Sequence, residues 1–239
     1  MCYLNLNRRQ PNENTLSRDL ALQGPFAHIH PNGEREKDLL YDAAAAWSAL
    51  LPYRYNILCG KSKKLYAIRL SFDPREFYHL AGFPHLKDIT LPVRFSQAKA
   101  MEKALAGAVT EAMLRKSSHY PTIIRPKLLA ILALEALLNR CSGAYLFSPR
   151  RLPFYTDIRA SYLLTDDNSR AAFLFTDTTD SGRSHFARSA FIMDDRDYRL
   201  NQTRLTVLQI ERTDLRTGET QLLYRRDGFE QPTQEGTET

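Results

Sequence analysis

Ala160-Ser161-Tyr162-Leu163-Leu164-Thr165, then Asp166-Asp167-Asn168-Ser169, then Ala171-Ala172-Phe173-Leu174-Phe175-Thr176 read as two short apolar runs divided by turn residues. Aromatic and β-branched side chains suit a pleated, half-buried surface, whereas Asp, Asn and Ser hydrogen-bond their own backbone in turns. This is a strand-turn-strand unit, and its neighbours repeat it. Ala144 to Phe147, Ala187 to Met193, Leu205 to Arg212 and Gln221 to Arg225 are further strand candidates, with Asp180-Ser181-Gly182 and Arg216-Thr217-Gly218 as turns. The C-terminal half is therefore expected to be an antiparallel meander.

Upstream the period changes. Leu39, Leu40, Ala43, Ala44, Trp47 and Leu50 recur at helical spacing and Pro52 stops the run, which predicts a helix from Glu34 to about Leu51. Tyr53 to Cys59 and Leu65 to Phe72 read as strands joined by Gly60-Lys61-Ser62-Lys63-Lys64, a loop that crowds three lysines into one turn. Asp73-Pro74 can cap and start a short helix carrying Phe77, Tyr78, His79 and Leu80, ended by Gly82. Ser96 to Lys116 and Pro121 to Cys141 have helical periodicity and form a helical insertion over about 96–141. The expected fold is α+β, with the N-terminal helix and the helical pair packed on a twisted antiparallel β-sheet. Residues 1–33, ending in Pro31-Asn32-Gly33, read as a loose arm, 34–229 as one domain and 230–239 as a disordered tail.

At 239 residues, 43% hydrophobic and 25% charged, the composition excludes disorder and collagen-like architecture. Leu128 to Leu138, the longest mainly apolar stretch, is broken by Glu135 and falls short of the roughly 20 residues that cross a bilayer. No membrane association and no secretory signal are expected, so the predicted location is cytoplasmic. Cys2, Cys59 and Cys141 are odd in number and widely spaced, which fits reduced thiols. Charge is uneven. Residues 51–150 hold 16 basic against 6 acidic side chains, a local +10 within a net charge of +6. Clustered Lys and Arg gain affinity for polyanions by releasing condensed counterions, although a solvated basic face has the same composition.

No Gly-rich phosphate loop, paired-Cys motif, zinc helix or nucleophile elbow is present. His28-Ile29-His30 places two imidazoles on one strand face, but in a Pro-bounded arm without a carboxylate at ligand spacing. His79 and His85 flank a helix stop, and the turn between them argues against joint metal binding. His79 also follows a strand bearing Arg69 and lies close in sequence to Lys61–Lys64. A second polar group is Arg188-Ser189-Ala190-Phe191 with Asp197-Tyr198 and Gln202. Arg188 and Ser189 point to opposite faces of a regular strand unless a bulge intervenes. Tyr198 and Gln202 are adjacent if their segment is helical, and otherwise belong to a plain connection.

Two blocks of this sequence resemble a known family, the phage-associated branch of the barnase/EndoU/colicin/RelE-like (BECR) nucleases. The first is Leu70-Ser71-Phe72 followed by Phe77-Tyr78-His79-Leu80-Ala81-Gly82-Phe83, similar to that branch's phenylalanine and His-Leu-x-Gly signature. The second is Ser189-Ala190-Phe191, Arg196-Asp197-Tyr198, Gln202, Val207-Leu208 and the Thr217-Gly218-Glu219 hairpin ending in Leu223-Tyr224. They frame roughly residues 35–229. The resemblance implies a helix-backed antiparallel sheet with an RNA cleft, and a metal-independent, cofactor-free ribonuclease or toxin of phages and mobile elements. Such an enzyme acts on RNA, tRNA among the candidates, and can have a protein antitoxin or immunity partner. His79, Ser189, Tyr198 and Gln202 match the family pattern. On that basis His79 is expected as general acid or base, Ser189 or Tyr198 as its hydrogen-bonding partner and Gln202 as a substrate-orienting residue. Lys64, Arg69 and Arg188 are the expected phosphate-binding cations. Two alternatives stand beside this: an inactive relative that only binds nucleic acid through the basic surface, and a protein-directed inhibitor or adaptor. The ordinary structural roles are a strand serine, packing or capping by Tyr198 and Gln202, and a satisfied histidine.

Overall fold

The computed structural model describes residues 37–166, 172–179 and 182–230. The loose arm with Cys2, His28 and His30, the final nine residues and most of the Asp166–Ser169 and Asp180–Gly182 turns lie outside the described residues. Helix α1 (Leu39–Leu50) buries the predicted stripe Leu40, Ala43, Ala44, Trp47 and Leu50. Strands β1 (Tyr53–Lys61) and β2 (Lys64–Ser71) form a hairpin, and helix α2 (Glu76–Leu80) follows. The lysine loop is tighter than expected: Lys61 pairs with Lys64, and Ser62 and Lys63 both have positive φ (48° and 64°), the backbone of a two-residue turn.

The helical insertion departs from two long helices. Gly107, at φ 67°, breaks the first into α3 (Ala100–Leu105) and α4 (Glu111–Leu114). The second opens with a wide turn over Tyr120–Ile124 before α5 (Arg125–Asn139). Two acids fasten these elements together. Asp38 accepts from the backbone N–H of Tyr41 at the start of α1 and from that of Glu111 at the start of α4, each at 2.9 Å. Glu111 in turn accepts from Leu39 N–H at 2.9 Å, from Arg115 at 2.9 Å and from the Tyr120 hydroxyl. Each carboxylate thus satisfies orphan donors at the other's helix start. Burial works against the Glu111 anion, but the Tyr120, Leu39 and Arg115 donors outweigh it and hold the carboxyl below its ordinary range.

Beyond α5 come β3 (Gly143–Leu146), β4 (Tyr162–Thr165), β5 (Ala172–Thr178), β6 (His185–Ile192), β7 (Thr203–Asp214) and β8 (Thr220–Arg225). All the predicted strands are present, but the expected twisted antiparallel sheet closes. The order β1-β2-β6-β5-β4-β3-β7 returns to β1, making a seven-strand barrel with β8 added on β7. The physical reason is the length of β7. One edge pairs with β1 from Thr206 to Asp214, while the other serves β3 at Thr203–Leu205 and β8 at Gln209–Thr213. Among the described residues the one parallel contact is between β2 and β6, and it consists of a single pair, Leu70 with His185.

Side chains on successive strand residues face opposite ways. Ala172 and Leu174 of β5 join the larger core, which gathers residues from all seven barrel strands and from α1 and α5. Phe173 and Phe175 join a second, aromatic core with Tyr145, Phe147, Leu163 and Tyr198, covered by Leu152, Phe154 and Ile158. Cys59 and Cys141 are buried free thiols. Among the described residues no helix is long and apolar enough to cross a membrane.

Candidate active site

The first signature block sits where β2 hands the chain to α2. Trp47 Nε1 donates to the Asp73 carbonyl at 3.1 Å, and the Asp73 carboxylate accepts from Arg75 N–H at 2.8 Å, so the turn is held from both sides. Asp73 is not the helix cap expected of it; the helix begins at Glu76. Phe77 and Leu80 are buried, and Glu76 and His79, three apart, share a different face. Both line a cleft of about 570 Å³ with Ser71, Gln97, Ser184 and His185.

Three titratable groups there have distinct environments. His79 is exposed and lies edge-on to Tyr78. Burial pushes the Glu76 carboxyl up to about 8, with the nearby Asp73 charge adding to the rise and the N–H groups of Asp73 and Ala187 opposing it. Its Oε2 is buried without a hydrogen-bond partner. His185 is 4% exposed, and its Nδ1 accepts from Arg69 N–H at 3.1 Å. An Nδ1 that accepts leaves the proton on Nε2, and burial lowers the ring's pKa, so this imidazole is a neutral donor. The β2–β6 seam explains the grouping. Past its single pair, the β6 edge is met by helices, and Ala187 N–H faces the Glu76 carboxylate in place of a strand carbonyl.

Two residues farther along β6, Lys127 of α5 donates to Ser189 Oγ at 3.2 Å. The ammonium is desolvated, which pushes it down to about 8. Gly82, the last residue of the His-Leu-x-Gly signature, makes room for this side chain. At φ +85° it adopts a backbone that other residues avoid, and a Cβ there would sit 2.8 Å from Ile124 Cδ1 and 3.1 Å from Lys127 Cδ. His85 lies nearby; burial lowers its pKa, aided by the positive charges of Lys127, His119 and Lys87. The bulge that would free Ser189 from strict alternation is present: Phe175 pairs with Ser189 and Thr176 with Ala187, leaving Arg188 as the extra, exposed residue.

Of the four residues that match the family pattern, His79, Ser189, Tyr198 and Gln202, only His79 lines the cleft, and Ser189 lies farther along β6. Tyr198 is 3% exposed within the aromatic core, edge-on to Phe154, Phe173, Phe175 and Phe191. Burial raises its pKa, opposed by the Arg196 charge and by Thr156. Gln202 clamps a neighbouring loop, accepting from Ser148 N–H at 2.7 Å and donating to the Ser148 carbonyl at 3.2 Å. Neither lines the cleft, because β5 turns the aromatic face away from the helices. Arg69 is exposed and touches the site through its backbone. Lys64 stands at the far end of β2, and seven residues to Ser71 at about 3.4 Å per residue put it roughly 24 Å away.

Glu76, Lys127 and His185 escaped the sequence reading. The β6 strand was expected to start at Ala187, two residues past His185, and Lys127 is one charge in an apolar helix. The available signal was the period itself: His185 precedes Ala187 by two, and Glu76 precedes His79 by three. Among the described residues no group of three His, Cys, Asp or Glu side chains is placed to hold a metal ion.

The family model described as phage-Barnase-EndoU-ColicinE5/D-RelE like nuclease4 matches residues 39–227, from the first residue of α1 to just past β8. No curated protein and no solved structure matches.

Proposed function

We propose, from the premise that this chain belongs to the phage-Barnase-EndoU-ColicinE5/D-RelE like nuclease family, that the seam cleft cleaves RNA without a metal ion, in the cytoplasm. One observation carries the reading: His79 and Glu76, whose carboxyl burial pushes up to about 8, stand one helical turn apart on the same cleft wall. His79 takes the proton of a ribose 2′-hydroxyl, since imidazole is the side chain suited to that task at neutral pH. The 2′-oxygen attacks phosphorus, and the bond to the 5′-oxygen breaks. Glu76, held protonated up to about pH 8, gives that leaving oxygen its proton. The products are a 2′,3′-cyclic phosphate and a 5′-hydroxyl.

Charge gathers on the non-bridging oxygens during the step. His185 Nε2–H lines the cleft, and we assign as further donors the desolvated Lys127 ammonium of α5, hydrogen-bonded to Ser189 farther along β6, and Arg188 on the bulge. Ser189 orients Lys127 in this scheme. The experiment is cleavage of a mixed tRNA and single-stranded RNA pool in excess EDTA by the parent, His79→Ala and Glu76→Gln proteins. Cleavage in chelator that both substitutions abolish is expected. Undiminished cleavage by either variant overturns its assigned role, and a requirement for added Mg²⁺ overturns the metal-free scheme.

A further inference from the structure

The opposite end of the barrel holds a second cleft that the proposed chemistry does not use. It measures about 550 Å³ and is lined among others by Asn139, Arg140, Arg204, Thr206, Tyr224 and Arg226. Arg140 ends α5, Arg204 and Thr206 belong to β7, Tyr224 to β8, and Arg226 follows β8. Among the described residues no acidic side chain lines it, and Arg140 and Arg226 have no side-chain hydrogen bond or ion pair. Outside the lining, Asp166 accepts from Ser142 Oγ at 3.4 Å, and Asp227 follows Arg226 in sequence. Tyr224 is 40% exposed, an aromatic face open to a partner.

The lysine turn belongs to this end. Lys61 Nζ donates to the Arg204 carbonyl at 3.3 Å, so the β1–β2 hairpin borders the groove and Lys63 and Lys64 extend its positive rim. A common strand gives the distance to the first cleft: β1 pairs Gly60 with Thr206 and Arg54 with Ser71. Six residues separate Arg54 from Gly60, about 20 Å at the usual rise. Arg140 and Arg226 beside an open aromatic ring are the arrangement that holds single-stranded nucleic acid, with phosphates on the cations and a base on the ring.

We propose that this groove is a polynucleotide exosite in which Arg140, Arg204 and Arg226 hold successive phosphates and Tyr224 stacks a base of one strand. That the strand is the continuation of the substrate RNA rests on the nuclease reading; that the groove binds phosphodiester chains does not. The volume suits a nucleotide, and the lining supplies a few convergent polar groups on an otherwise mixed surface.

Fluorescence anisotropy tests it with labelled 2′-O-methyl oligouridylate, which 2′-hydroxyl attack cannot cut, and with oligothymidylate of equal length, each titrated over a series of KCl concentrations. Each phosphate contact on a single strand contributes about 0.7 to the slope of log affinity against log salt. The Arg140→Ala/Arg226→Ala protein is expected to lose about 1.4 of that slope, and Tyr224→Ala to bind about fivefold or more weakly, both with parental melting temperatures. Loss with both oligonucleotides supports phosphodiester and stacking recognition; loss with the 2′-O-methyl strand alone supports an RNA-selective groove. Parental affinity and slope in both variants overturn the exosite, as does a parent that binds neither oligonucleotide, which leaves an acidic protein as the occupant. Cleavage is scored separately. A protein that binds through the groove but cuts nothing retains the exosite and loses the nuclease reading, while one that cuts with unchanged binding in the variants does the reverse.

Discussion

Lys127 and Ser189, 3.2 Å apart, join two parts of the chain separated by 62 residues and bring the two signature blocks to one place. Gly82 of the first block clears the path for the lysine stem, and Ser189 of the second receives its ammonium. Lys127 is desolvated with a neutral hydroxyl as its partner, and this arrangement has a measurable cost.

That cost gives the first prediction. Lys127 is lowered from 10.5 to about 8 in the folded protein, so below pH 8 the native state carries a penalty of about 3 kcal/mol. Between pH 8 and 10.5 the folded protein binds fewer protons than the unfolded chain, and stability from this group rises with pH. Lys127→Met should therefore be more stable than the parent at pH 7 by chemical denaturation, with the gap closing between pH 8 and 10.5, and should cleave RNA at least about 100-fold more slowly. A variant of parental activity removes Lys127 from the phosphate-binding set.

Glu76 has the opposite sign. Its folded value is raised from 4.5 to about 8, so its protonated form favours folding, with the contribution complete below pH 4.5 and lost as pH rises through 8. Glu76→Gln keeps the shape without the titration. Its stability relative to the parent should grow between pH 5 and 9 in urea unfolding series, and a flat difference across that range contradicts the burial of this carboxyl.

Gly82→Ala places a Cβ on a positive-φ residue and against Ile124 and Lys127. A loss of about 2–3 kcal/mol is expected in denaturant titrations, together with weaker cleavage because Lys127 is displaced.

Glu111→Ala removes the acceptor shared by Leu39, Arg115 and Tyr120. A destabilisation of about 3 kcal/mol is expected. Because the Glu111 carboxyl is held below its ordinary value, its contribution is present above pH 4.5 and lost as pH falls, so the difference between variant and parent should narrow in acid.

Tyr198→Phe separates packing from chemistry. The ring fills the aromatic core and only the hydroxyl is lost, so cleavage should stay within about twofold of the parent and stability should change by no more than about 1 kcal/mol. Loss of cleavage with parental stability would return Tyr198 to the site.

The elements were legible because each rests on local chemistry. The apolar runs Tyr162–Thr165 and Ala172–Thr176, the stripe of α1 and the turn at Gly82 all act within a few residues. Barrel closure was not legible, since it depends on the second edge of β7 finding β1 some 150 residues earlier, and nothing in either strand's own pattern records its partner. Of the proposed site, His79 and Ser189 were readable from their motif and Arg188 from its charge beside Ser189. Tyr198 and Gln202 were grouped with them because they match the same family block, but the chain past β6 carries Tyr198 into the aromatic core and Gln202 onto the Ser148 loop. Glu76 and Lys127 acquire their character only from burial, which a sequence does not display.

The seam between β2 and β6 also orders events during synthesis. His79 and Glu76 leave the ribosome more than a hundred residues before His185 and Ser189, and the strand that completes their cleft is among the late ones. A truncated chain ending before β6 carries the proposed acid and base but not the wall that seats a phosphate. By the proposed scheme, competence then switches on only when the barrel shuts, and an unfinished copy leaves its own message intact.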